Sequence, residues 1–135
     1  LEMSDRFKRI CPIFLTAMQK AESSFNERSI SPEGARGRNQ ILPSTGRLLC
    51  KAAGWEYHND ILHDPRKSTY LSSILIDILF TEFQSKEAVL SAYNGGDRIA
   101  YACLKNSNLL PVETKEYIKN VMKYYETYKK KIQGG

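Results

Sequence analysis

The stretch Pro12-Ile13-Phe14-Leu15-Thr16-Ala17-Met18-Gln19-Lys20-Ala21-Glu22-Ser23-Ser24-Phe25 decides how the rest of the chain is read. Projected at about 100° per residue, it gathers Phe14, Leu15, Met18, Ala21 and Phe25 on one helical face, with Thr16, Gln19, Lys20 and Ser23 opposite. Glu22 falls inside the apolar stripe. A carboxylate there is either held by partners or aimed into a cleft, because burying it unpaired costs several kcal/mol or forces it to take up a proton. That is the environment of a general acid, and taken alone it also fits a salt-bridged structural carboxylate.

Working outward, Ser4-Asp5 can cap a short first helix and Pro12 suits the first turn of the Glu22 helix. Residues 26–37 contain Ser31-Pro32-Glu33-Gly34 and Gly37 and read as a loop that brings polar groups near that carboxylate. Gln40 to Ala53 reads as a helix interrupted at Pro43 and ended by Gly54, and residues 55–63 as irregular. Asp64-Pro65 has the cap-then-proline form of a helix start. Tyr70, Leu71, Ile74, Leu75, Ile78, Leu79 and Phe83 then recur at three- and four-residue steps, which makes this long helix the expected structural backbone. Ser85 caps a helix over Lys86 to Tyr93, which Asn94-Gly95-Gly96 terminates. A short helix over Asp97 to Lys105 and a turn over Asn106 to Pro111 lead to a last helix from Glu113 to about Tyr128. Tyr117, Ile118, Val121, Tyr125 and Tyr128 share one face of it. Residues 129–135, with Lys129-Lys130-Lys131, read as a solvated flexible tail. No alternating strand pattern stands out. The expected fold is all-α, one domain over 1–135 of about six or seven helices, without repeats or a dividing linker.

The chain has 135 residues, 41% of them hydrophobic, enough for one core. A net charge of +5 and a pI near 9.1 suit an anionic partner such as nucleic acid, an acidic membrane or a carboxylate-bearing polymer, but the charge is spread out. No apolar run reaches the roughly 20 residues of a membrane span, and no signal peptide opens the chain; Leu1-Glu2-Met3 can be residues added for expression. Cys11, Cys50 and Cys103 allow at most one disulfide, and with two histidines they form no metal-ligand spacing. His58 and His63, about 140° apart on a helix, read as loop residues.

Four stretches need a joint explanation: Glu22-Ser23-Ser24-Phe25; Ser31-Pro32-Glu33-Gly34-Ala35-Arg36-Gly37 leading into Gln40-Ile41-Leu42-Pro43-Ser44-Thr45; Ala92-Tyr93-Asn94-Gly95-Gly96; and Glu113-Thr114-Lys115-Glu116-Tyr117. In this order and at these separations they resemble the catalytic domain of the soluble lytic murein transglycosylases, the lysozyme-like glycoside hydrolase family 23, over residues 10–128. The resemblance implies cleavage of the β-1,4 bond between N-acetylmuramic acid and N-acetylglucosamine in peptidoglycan with a 1,6-anhydromuramyl product, no cofactor and no metal. It matches Glu22 to the single catalytic acid/base and Ser31, Gln40, Leu42, Tyr93, Asn94, Glu113 and Tyr117 to substrate-binding positions. It further implies peptidoglycan glycan strands as partner rather than nucleic acid, a periplasmic or envelope location, a monomer, and a possible link to a secretion or conjugation apparatus.

The residue types suit that chemistry. A departing glycosidic oxygen needs a proton, and an acid whose pKa is raised by an apolar wall still holds one near neutral pH. A substrate whose own 2-acetamido group and 6-hydroxyl do the work of the second carboxylate leaves the protein needing one. Hydroxyl and amide donors such as Ser31, Gln40, Tyr93 and Asn94 can orient the acetamido group and stabilise charge developing in the transition state. Glu113, in the first turn of a helix, is favoured there by the helix dipole whatever else it does. The chain departs from the family in carrying Arg38-Asn39 where Leu-Met is usual, and Ser68 and Ser72 where an asparagine and a glycine are usual. An arginine beside the groove could pair with peptide-stem or lactyl carboxylates. Two rivals remain: a goose-type hydrolase in which Glu33 or Glu113 positions water, and a non-catalytic glycan-binding or scaffolding module.

Overall fold

The computed structural model describes residues 11–134, so the helix expected at Ser4-Asp5 lies outside the described residues. Among those described there are six α-helices: α1 (Pro12–Ser23), α2 (Pro43–Ala53), α3 (Pro65–Phe83), α4 (Lys86–Gly95), α5 (Asp97–Lys105) and α6 (Val112–Gly134). Two 3-10 turns, Asn59–His63 and Ser107–Leu109, complete them. Among the described residues there is no strand, only isolated bridges pairing Arg36 with Ile30 and with Ile41. The all-α expectation is met.

The punctuation residues work as their chemistry dictates. Pro12, Pro43 and Pro65 each open a helix, where the missing N–H loses nothing. Asp64 accepts from the Lys67 N–H at 2.9 Å and Ser85 from the Ala88 N–H at 3.3 Å, which satisfies first-turn donors of α3 and α4. Gly54 and Gly96, at φ +77° and +90°, close α2 and α4.

Helix α3 is shared by two cores. Ile76, Leu79 and Phe83 pack with Phe14, Leu15 and Met18 of α1, Val89 and Leu90 of α4, and Tyr117 and Val121 of α6. Nearer its start, Leu71 and Ile74 pack with Ile41, Leu49, Ile61 and Leu62. A long apolar side chain buried as completely as Met18, Leu62, Leu71 or Ile76 contributes roughly 1.5–3 kcal/mol, so α3 is the backbone its periodicity predicts. One detail is reversed: Ile78 is 49% exposed, and Ile76, outside the single stripe read from the sequence, is fully buried. A helix packed on two sides has no single stripe.

Four boundaries also move. Helix α1 stops at Ser23, because Ser24 and Phe25 both take left-handed backbone at φ 51° and 66°; Phe25 leaves the stripe and turns its ring toward Lys20 and Arg38. Gln40 to Leu42 are not helical, and Gln40 is left-handed at φ 49°. Part of the stretch read as irregular forms the 3-10 turn Asn59–His63, with His63 as its last residue. The segment read as a tail from residue 129 instead continues α6 to Gly134, since three lysines are good helix formers and cations suit a helix C-terminus.

Candidate active-site groove

Residues 26–41 fold by their own hydrogen bonds into a compact loop against the end of α1. Ser31 N–H donates to the Ala35 carbonyl at 2.9 Å, and the Ala35 N–H to Ser31 Oγ at 3.0 Å. Arg36 and Ile41 exchange N–H···O bonds of 2.9 and 3.1 Å. Gly37 sits at φ +79° with its N–H on the Ser29 carbonyl, and a Cβ there would run into the Leu62 carbonyl oxygen, so no other residue fits.

Between this loop and the α4 and α6 termini lies a groove of about 620 Å³. Glu22, in the last turn of α1, is at its wall together with Ser31, Gln40 and Leu42 from the loop side. Tyr93 and Asn94 from α4 and Glu113 from α6 face them. Seven of the eight residues singled out in the sequence therefore line one cavity, and the eighth, Tyr117, lies behind Glu22, one turn along α6 from Glu113. Pro32, Glu33 and Ala35 join them from the loop.

Glu22 is the electrostatic centre of the groove. The residue as a whole keeps some exposed surface, while its carboxyl is withdrawn from water, and desolvation pushes its pKa from 4.5 up to about 8. The carbonyl end of α1 beside it also disfavours a negative charge. The Tyr117 hydroxyl is the only group that pulls the other way. That hydroxyl is buried and meets no partner at the distance and angle of a formed hydrogen bond, so its hold on the carboxylate is close but weak. Burial, with the Glu22 charge next to it, raises the Tyr117 and Tyr93 phenols as well. Glu113 does not figure in the Glu22 shift, being exposed at the rim.

The polar groups are not equally free. Gln40 spends its amide hydrogens on the Gly37 and Ser29 carbonyls, at 2.9 and 3.3 Å, so toward the groove it can offer an acceptor and not a donor. Tyr93 donates to the Asn39 carbonyl at 2.7 Å and meets Ser72 Oγ at 3.1 Å, so its hydroxyl is turned into the protein and the ring forms wall. These two correct the expectation that both act as donors. Asn94 accepts from Thr114 Oγ1 at 3.0 Å, which fixes the amide and leaves its NH2 unused, and Ser31 has its hydroxyl proton left after accepting from Ala35. Leu42, 42% exposed, supplies apolar surface at the edge.

Thr114, 3% exposed, is a supporting residue the sequence reading passed over; its one signal is its place directly after Glu113 in the first turn of α6. Asn39, Ser68 and Ser72, read only as departures from a family pattern, are all 1% exposed and hydrogen-bonded. Arg38 is not beside the groove as expected. It lines a separate pocket with Trp55, Arg66, Lys67 and Tyr70, and its carbonyl accepts from Ser23 Oγ at 2.8 Å. Among the described residues no three His, Cys, Asp or Glu side chains converge as metal ligands. None of the helices is long and apolar enough to cross a membrane. Cys11, Cys50 and Cys103 are free thiols.

Comparison with known proteins fits this geometry. The membrane-bound lytic murein transglycosylase C of Glaesserella parasuis is 28% identical, covering 83% of this chain and 34% of that protein. The soluble lytic murein transglycosylase of Escherichia coli is also 28% identical, over 96% of this chain and 23% of its own length. The chain thus spans between 23% and 34% of the length of these curated relatives. The X-ray structure of an inactive mutant of the lytic transglycosylase Slt from Pseudomonas aeruginosa superposes on 97% of this chain and 24% of that one, with a TM-score of 0.85 at 21% identity, and so shares the fold. The Transglycosylase SLT domain pattern matches residues 3–110, most of the chain, and by that match this protein belongs to the Transglycosylase SLT domain family.

Proposed function

We propose that the domain is a peptidoglycan lytic transglycosylase that cleaves the β-1,4 bond between N-acetylmuramic acid and N-acetylglucosamine and leaves a 1,6-anhydromuramyl end, with Glu22 as its single general acid and base. The observation that carries the reading is one carboxyl in the wall of an open groove, held protonated near neutral pH by desolvation rather than by a second carboxylate. The names of the relatives support the substrate class.

In the first step the Glu22 carboxylic acid gives its proton to the leaving glycosidic oxygen as the bond to the muramyl anomeric carbon breaks. The substrate's own acetamido group stabilises the positive charge at that carbon, and the Asn94 NH2 and Ser31 hydroxyl are the protein groups with a donor to spare for holding it. The Glu22 carboxylate then takes the proton of the muramyl 6-hydroxyl as that oxygen attacks the anomeric carbon, which returns the acid to its starting state. Desolvation serves both steps, because it makes the carboxylate a stronger base than an exposed one. Such an enzyme works in the cell envelope, at the periplasmic face where glycan strands lie.

Glu33 and Glu113 line the same groove, which gives the water-using hydrolase its one structural argument. The test is the Glu22→Gln variant, assayed for release of soluble fragments from purified peptidoglycan. Activity should fall about a hundredfold to ten-thousandfold, the range of general acid catalysis, with the helical signal intact. Retention of half the wild-type rate would remove Glu22 from the mechanism.

A further inference from the structure

Six polar side chains behind the groove, four of them buried (Gln19, Asn39, Ser68 and Ser72), are bonded into one network. Asn39 Oδ1 accepts from Gln19 Nε2 at 3.1 Å, and Asn39 Nδ2 donates to Ser68 Oγ at 3.0 Å and Thr69 Oγ1 at 3.3 Å. Gln19 Nε2 also donates to Thr69 Oγ1 at 2.9 Å. Both amide hydrogens of Asn39 and its amide oxygen are thus engaged between α1 and α3, and its backbone carbonyl is fixed with them. That carbonyl takes the Tyr93 hydroxyl at 2.7 Å. A phenol has one proton, so the Ser72 hydroxyl, 3.1 Å away, must be the donor in its own contact with Tyr93.

This arrangement has a consequence for Glu22, which is close enough to Tyr93 for its charge to act on the phenol. A phenol proton turned onto a carboxylate favours the charged form. Here that proton is spent elsewhere. We infer that Asn39 is a positioning residue: clamped by Gln19, Ser68 and Thr69, it holds its carbonyl where it captures the Tyr93 proton, so that the phenol walls Glu22 without stabilising its anion. The inference rests on reading Glu22 as the acid. The other ionisable groups facing Glu22 are Tyr117 from α6, Glu33 from the loop and Glu113 at the groove rim; Tyr117 also feels the Tyr93 phenol, and none of the three is hydrogen-bonded to this network.

The experiment is a titration of the Glu22 side-chain carboxyl by carbon-13 NMR on the whole chain, which needs no turnover. Asn39→Ala keeps the carbonyl but removes the amide that clamps it, so the unheld carbonyl should lose the Tyr93 proton to Glu22, which strengthens the acid about tenfold and lowers its midpoint by about one pH unit. Tyr93→Phe alone should not lower it. The double variant Asn39→Ala with Tyr93→Phe should return the midpoint to the wild-type value, an outcome that a merely structural role for Asn39 would not produce. An unchanged midpoint in Asn39→Ala, or a double variant as low as the single, overturns the inference. Should Asn39→Ala not fold, Thr69→Val, which removes one acceptor of the clamp, decides in its place: a midpoint lowered by a few tenths supports the inference and an unmoved one refutes it. Failure of this titration would leave the proposed cleavage standing, and absence of cleavage by the wild type would leave the titration result standing.

Discussion

Replacing Glu22 with glutamine should make the protein more stable while disabling it. In the unfolded chain the carboxyl titrates near 4.5, and in the folded groove near 8. Between those values the folded state holds a proton that the unfolded state releases, so stability falls as pH rises through the window and is undiminished below it. At about 1.4 kcal/mol per pH unit, the cost is near zero at about pH 4, roughly 3 kcal/mol at about pH 7, and levels off near roughly 5 kcal/mol above about pH 8. Glutamine has the same shape and does not ionise, so it is spared this cost. Urea unfolding of both proteins, followed by far-ultraviolet ellipticity across that range, measures the difference directly. The midpoints should nearly coincide in acid and separate as pH rises, the variant being the more stable. A difference that does not change with pH, or a variant less stable in alkali, would show that the Glu22 carboxyl is not desolvated and would refute the reasoning about its proton.

Three further outcomes follow from the same structure. Gly37→Ala should unfold at a clearly lower temperature, by at least the roughly 1–3 kcal/mol of a strained left-handed residue, because its Cβ also meets the Leu62 carbonyl; an unchanged melting temperature would contradict the loop geometry. Since all three cysteines are free, adding reductant should leave the helical signal and the melting temperature unchanged, and a loss of either would show a crosslink. Glu33→Gln should change cleavage little, because an exposed loop carboxylate is solvated and screened; complete loss of cleavage would favour the water-using hydrolase.

Much of this architecture was legible in the chain because it is written in local chemistry. Prolines at helix starts, Asp64 and Ser85 as caps, and the three- and four-residue spacing of α3 act within a few residues of themselves. The groove residues were legible as a set through their order along the chain. What stayed hidden depends on neighbours distant in sequence. The burial of Ile76 in place of Ile78 requires cores on two sides of α3. The inward turn of the Tyr93 hydroxyl requires the Asn39 carbonyl, 54 positions away. Arg38 was expected beside the groove because Arg38-Asn39 stands where the resembled family has Leu-Met, but the tight fold around Gly37 and Gln40 sends successive side chains to different sides. Nor does a place in the groove bring the rim carboxylate of Glu113 out of water, where it could act on the Glu22 proton.

The most direct test of the account is digestion of purified peptidoglycan by the wild-type domain, followed by mass spectrometry of the released muropeptides. The single-carboxylate mechanism predicts muramyl fragments ending in 1,6-anhydro rings, each lighter by one water than its hydrolytic counterpart. Fragments ending mainly in reducing sugars, or no release at all, would contradict it.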